Sequence, residues 1–119
     1  MRLINLTSRT IRVYDEEGSK ILYELPTSPP AISVDVSAEV LRAVGSSDEI
    51  PVVRHQFRLA DPLPEERPGV LYVVGWAVLQ AALEEGVLRD DLVAPDTGRG
   101  SAVRDKGGQI IGVRRFRVM

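Results

Sequence analysis

The sequence predicts one α+β domain over residues 1–119: a mostly antiparallel, twisted sheet with one main helix, residues 76–85, in a βαβ-like unit. Three observations predict it. The length of 119 residues suits a single modest core, since 44% of the residues are hydrophobic. The continuous apolar run VLYVV, residues 70–74, is followed by Trp76, Leu79 and Leu83 at helical spacing and then by the apolar LVA, residues 92–94. Elsewhere, short β-prone runs alternate with turns.

Taken in chain order, residues 2–6 and 10–14 form a first hairpin, two short strands separated by Thr7, Ser8 and Arg9. DEEGS, residues 15–19, supplies a turn whose glycine accepts positive φ, and KILYEL, residues 20–25, returns as a strand. Pro26, Pro29 and Pro30 stop it. Ile32, Val34 and Val36 alternate with polar residues at the period of a half-buried strand. Beyond them, Ser37 caps a short helix from Ala38 to Val44 ending at Gly45, or the strand simply continues. Residues 52–59 alternate again, with Val53, His55, Phe57 and Leu59 on one face. The three prolines of residues 61–69 mark an exposed connector. Residues 70–74 then form the central strand, covered on both faces, and Gly86 ends the helix packed over it through Trp76, Leu79 and Leu83. A hairpin turn at residues 104–109 leads into a last strand, residues 110–118, in which Gly112 marks a bulge or close packing.

Composition excludes several classes. Without cysteine there is no disulfide, zinc–thiolate site or thiol nucleophile, and one histidine removes most catalytic dyads and metal cages. His55 lies among apolar residues, which favours a packed histidine over a general base. Glu84, Glu85, Asp90 and Asp91 read as a solvated face and turn, with no spacing suited to a two-metal or glycosidase pair. The expectation is therefore no catalytic residue, no metal and no cofactor. No apolar run reaches the ~20 residues that span a bilayer, so the expected location is cytoplasmic, with no membrane partner.

The net charge of −2 conceals a segregation. Residues 1–14 hold three arginines and no acid; residues 15–96 hold sixteen acids against six bases; residues 97–119 hold six bases against Asp105. The basic ends either pair with the acidic middle or form an anion site. A pI near 5.4 and the lack of a helix bearing a row of bases argue against duplex DNA.

In a βαβ unit, ligands collect beyond the carboxyl ends of the strands. Here those places are Gly75 to Ala77 and the loop PDTGRGS, residues 95–101. Gly98 and Gly100 allow close backbone approach, Thr97 and Ser101 add hydroxyls, Arg99 and the nearby Arg104 add guanidinium groups, and the helix start adds free amides. Trp76 either fills the core or stacks on a base or sugar. The candidate ligand-binding set is therefore Trp76, Thr97, Gly98, Arg99, Gly100, Ser101 and Arg104, and the ligand class a nucleotide or another phosphate-bearing small molecule. The same glycines also suit a plain surface turn, because the loop lacks the lysine and spacing of a phosphate loop.

Three segments, INLTSRTI, GVLYVVGWAVLQAAL and DDLVAPDTGRGSAVRDKGGQIIGVRRF, together resemble small uncharacterised proteins of bacteriophages and prophages. They cover about half the chain. Ser8 and Arg9 stand where that family commonly has Pro-His, so no histidine role carries over. The resemblance implies a phage accessory protein, and by context a non-enzymatic sponge that sequesters an anionic nucleotide immune signal of the host. The alternative is a protein-interaction or structural phage factor with no small-molecule ligand. A homo-oligomer is expected in either case.

Overall fold

The computed structural model describes residues 1–119 and shows an α+β domain that is mostly sheet. Its ten strands are β1 (Arg2–Asn5), β2 (Ile11–Tyr14), β3 (Ile21–Leu25), β4 (Val34–Val44), β5 (Ile50–Leu59), β6 (Val70–Val73), β7 (Leu92–Pro95), β8 (Ala102–Arg104), β9 (Ile110–Val113) and β10 (Phe116–Arg117); its one helix is α1 (Trp76–Glu84). In place of one twisted sheet there are three. The first has the order β1-β6-β7-β10, the second β3-β2-β9-β8, and β4 and β5 form a ribbon by themselves, so β1 and β2 do not make the expected hairpin: β1 pairs with β6, and β2 with β3 and β9. The β1–β6, β6–β7 and β2–β9 pairings are parallel; the other four are antiparallel.

The β6-α1-β7 unit is the βαβ unit expected from the apolar runs, and β6 is central, between β1 and β7. Tyr72 and Val74 face the helix together with Leu6, Leu92 and Ala94, while Val73 between them is also fully buried. The helix ends one residue earlier than expected, in a Schellman motif: Gly86 at φ 76° donates to Leu83 O, and Val87 N–H donates to Ala82 O. Its buried residues are Val78, Leu79, Ala81 and Ala82, of which Val78, Leu79 and Ala82 belong to the core shared with the sheet, with Trp76 packed at the margin. Leu83 is not among them. It is half exposed and lines an open groove with Leu88, Val118 and Met119, because the stripe that meets the sheet runs one residue ahead of it.

Two further expectations change. Residues 38–44 continue as strand rather than turning into a helix, paired to β5 as far as Val44–Ile50. Residues 110–118 are two strands in two sheets, because the chain bends at Arg114, whose Nε donates to Glu16 O and whose Nη1 donates to Ala102 O. The connector of residues 61–69 is mostly exposed, as expected, and is also pinned: the Tyr72 hydroxyl donates to Glu65 O, and Arg89 donates to Pro64 O while gripping Asp91 through two hydrogen bonds of 2.8 and 2.6 Å. Glu84 and Glu85 are exposed, as expected of a solvated face, and also accept the amides of Phe57 and Leu59, fastening the helix end to the edge of β5. Gly112 is a close-packing site, since a Cβ there would lie 2.5 Å from the Tyr14 ring and 2.6 Å from Arg12 O.

Only 18 of the 119 residues are buried, and all lie in the body formed by the two four-stranded sheets and α1. The β4–β5 ribbon projects as an arm. His55 is exposed on it, edge-on to Phe57 with ring centres 6.4 Å apart, so the packing expected of this histidine is absent.

Candidate anion site

The carboxyl ends of the parallel strands β1, β6 and β7 open on one side of the first sheet, where the chain continues as Thr7, Gly75 and Asp96. A recess of about 270 Å³ lies there, lined by Thr7, Ser8, Arg9, Ile11, Gly75, Trp76, Pro95 and Thr97. It is the position that βαβ geometry assigns to ligands.

The turn after β1 owes its shape to Asn5, a residue that the sequence reading did not single out. Its side chain is 2% exposed and fully bonded: Nδ2 donates to Arg9 O and to Leu25 O, both at 2.8 Å, while Oδ1 accepts from the Thr7 amide and hydroxyl. One buried amide therefore folds Thr7 to Arg9 into a tight turn and ties it to β3. Asparagine suits the task because it carries two donors and an acceptor without charge. The only sequence signal is its place next to a Thr-Ser pair at a strand end.

The turn presents Arg9 at the recess, and its guanidinium makes no hydrogen bond or ion pair within the protein. The Ser8 and Thr97 hydroxyls are likewise free of protein partners. Opposite them, α1 begins without protection. Its N-cap is Gly75, there is no side-chain cap, and no acid occupies the first turn. Helix geometry leaves the Trp76 and Ala77 amides without intrahelical acceptors, and the positive end of the helix dipole lies beside them. Arg117, on β10, stacks over the Trp76 ring at 3.6 Å from its centre, and its Nε is buried without a hydrogen-bond partner.

The recess brings together two of the sequence-predicted residues, Trp76 and Thr97. The others lie behind or beyond it. Asp96 closes the PDTGRGS turn on itself: Oδ1 accepts from the Gly98 amide and Oδ2 from the Ser101 hydroxyl, both at 2.9 Å. Ser101 is 5% exposed, and its hydroxyl is occupied by that bond. Gly100 takes the positive φ of 85° that the turn requires. Arg99 stands exposed on the turn, while Arg104 donates from Nη1 to Gly108 O at 2.6 Å across the β8–β9 turn. The Gly98 amide hydrogen bond, then that of Ser101, with Arg117 and Arg115 adding a smaller attraction, hold the Asp96 carboxyl below its ordinary value of 3.8. The recess and the PDTGRGS turn are thus neighbours with different electrostatic characters. The recess carries one unpaired guanidinium, that of Arg9, beside the free amides of the helix start; the turn contains its own carboxylate.

No helix is long and apolar enough to cross a membrane. No protein-family model, curated protein or solved structure matched the chain in the comparisons made.

Proposed function

We propose that the protein is a non-enzymatic binder of an anionic small molecule, with a nucleotide as the ligand class, seated in the recess at the ends of β1, β6 and β7. The observation that carries this reading is the convergence of an uncapped helix start, an unpaired Arg9 and two free hydroxyls on one recess beside Trp76. Amides at a helix N-terminus favour phosphate oxygens, a guanidinium adds a charge-assisted bond, and an indole edge accommodates a base or sugar. One face of Trp76 is already taken by Arg117, so a base would use the edge or the other face. Arg99 and Arg104 serve as outer contacts in this reading, for a ligand that extends past Thr97 along the PDTGRGS turn.

A binder rather than a catalyst is favoured by the placement of the single histidine. His55 lies on the arm, and the groups at the recess are donors of hydrogen bonds, with no base beside a nucleophile. The phage setting and the role as a sponge for a host signal come from the sequence resemblance, and the cytoplasmic location is the expectation drawn from the sequence. Incubation with excess nucleotide tests the binder directly. A sponge holds ligand up to its own concentration and releases it intact on denaturation, whereas continuing conversion of the excess rejects the reading.

A second reading, a protein-interaction factor, is favoured by a separate observation: the apolar residues Val36, Val40 and Val53 stand exposed on the arm. The two readings separate in a titration, because only the first requires nucleotide binding by the isolated protein.

A further inference from the structure

The arm leaves the chain with more surface than one compact protomer of its mass carries. Its accessible surface is 8162 Å², whereas a monomer of 13.1 kDa is expected to expose roughly 6,400 Å². Its radius of gyration is 17.0 Å against roughly 13.5 Å for a compact chain of this length. The excess surface is of the order needed to join two protomers, since a standard interface covers about 800 Å² on each partner.

Register locates the sticky part. In an antiparallel pair, partners share a face, so Val34–Leu59, Val36–Phe57, Ala38–His55 and Val40–Val53 line one side of the arm. Asp35–Arg58, Ser37–Gln56 and Glu39–Arg54 line the other. The apolar side is continuous with the core: Val34 and Leu59 pack against the body, Phe57 is partly buried, and farther out Val36, Val40 and Val53 are 56%, 65% and 41% exposed. A two-stranded ribbon is only marginally stable when its apolar face meets water.

We infer that the apolar face of the β4–β5 arm is a homodimer interface, covered by the same face of a second copy of this chain. The occupant follows from charge and symmetry. On the polar side, acids stand opposite bases in register, and residues 34–59 hold four acids against three bases, so the arm has no field to recruit a polyanion or polycation. The apolar side bears no carboxylate, lysine or arginine. An uncharged apolar stripe is complementary to itself across a two-fold axis, the commonest symmetry of soluble oligomers. This dimer does not depend on a ligand in the recess, so either proposal can fail alone.

The test is the mass in solution of the full chain, by sedimentation equilibrium at micromolar concentrations. The wild type is expected at twice 13.1 kDa. The double variant Val40→Glu/Val53→Glu is expected at the monomer mass with Trp76 emission and cooperative unfolding retained, and Ser37→Glu/Gln56→Lys, on the opposite face, is expected to remain dimeric. A monomeric wild type, or a folded Val40→Glu/Val53→Glu protein that stays dimeric, overturns the inference. Loss of the dimer in the Ser37→Glu/Gln56→Lys protein overturns the choice of face. Alkylation of an added thiol is independent of whether the glutamate variant folds. Val40→Cys should react several-fold more slowly at high than at low protein concentration and Ser37→Cys at an unchanged rate; equal rates for Val40→Cys at both concentrations overturn the inference as well.

Discussion

Arg117 lays its guanidinium 3.6 Å from the centre of the Trp76 ring, joining the last strand to the first turn of the only helix. A cation over an indole is held by the ring's negative face, more strongly where water is excluded, and the buried Nε of Arg117 shows that exclusion. Arg117→Met keeps an apolar stem over the ring but removes the charge. The expected outcome is a loss of about 1 kcal/mol in chemical denaturation. Because Trp76 is the only tryptophan, a change in its emission should accompany that loss without a change in far-ultraviolet dichroism.

Asn5 should be among the least replaceable polar residues. Asn5→Ala removes the partner of the Leu25 carbonyl and of the Thr7 amide, both part-buried, and leaves Arg9 O with the Thr7 hydroxyl alone. Unpaired buried groups each cost on the order of 1–3 kcal/mol, so a loss of about 3 kcal/mol is expected in urea unfolding. Asn5→Asp should be comparably harmful, because a carboxylate cannot donate to two carbonyls.

The β6-α1-β7 unit was legible in the sequence because its signals are local. Residues 70–74, the helical spacing after Trp76 and the Gly86 stop all act within one turn or strand. The arm was legible only in part: the alternation of Val53, His55, Phe57 and Leu59 names the apolar face, but nothing in it says that the protomer leaves this face bare. Over residues 38–44, strand and helix propensities nearly balance, and pairing with β5 decides the outcome. The division of residues 110–118 between two sheets depends on Arg114 meeting Glu16 O and Ala102 O, partners too distant in sequence to be read locally. At the recess, Trp76 and Thr97 were visible through βαβ geometry. Arg9 was not, because its placement depends on the side chain of Asn5.

Acid should weaken the fold through three carboxylates. Asp96 is held down by the Gly98 amide first, Asp15 by the Ser19 amide first and Asp61 by the Ser33 amide first, each below 3.8. A folded value below the unfolded one means that the stabilisation is fully present above the unfolded value and is lost as pH falls through the folded value. Thermal midpoints should therefore drop as pH is lowered below about 4, and Asp96→Asn should flatten part of that drop. An Asp96→Asn protein with an unchanged acid profile contradicts the assignment.

The edge of β5 should open when its helix clasp is removed. Glu84→Ala/Glu85→Ala frees the Phe57 and Leu59 amides. Hydrogen exchange at those two amides should accelerate at least several-fold, while protection at Val73 and Val74, which lie in the body core, stays unchanged.

Titration of the wild type and of Arg9→Ala with inorganic phosphate and a panel of linear and cyclic nucleotides, followed by calorimetry and by Trp76 emission, tests the central claim most directly. Binding of at least one nucleotide with a change in Trp76 emission is expected. Arg9→Ala should weaken it about tenfold to a hundredfold, the loss of one charge-assisted hydrogen bond, with the thermal midpoint unchanged. Absence of binding to the wild type at millimolar concentration, or binding that Arg9→Ala leaves intact, contradicts the placement of an anion site at the ends of β1, β6 and β7.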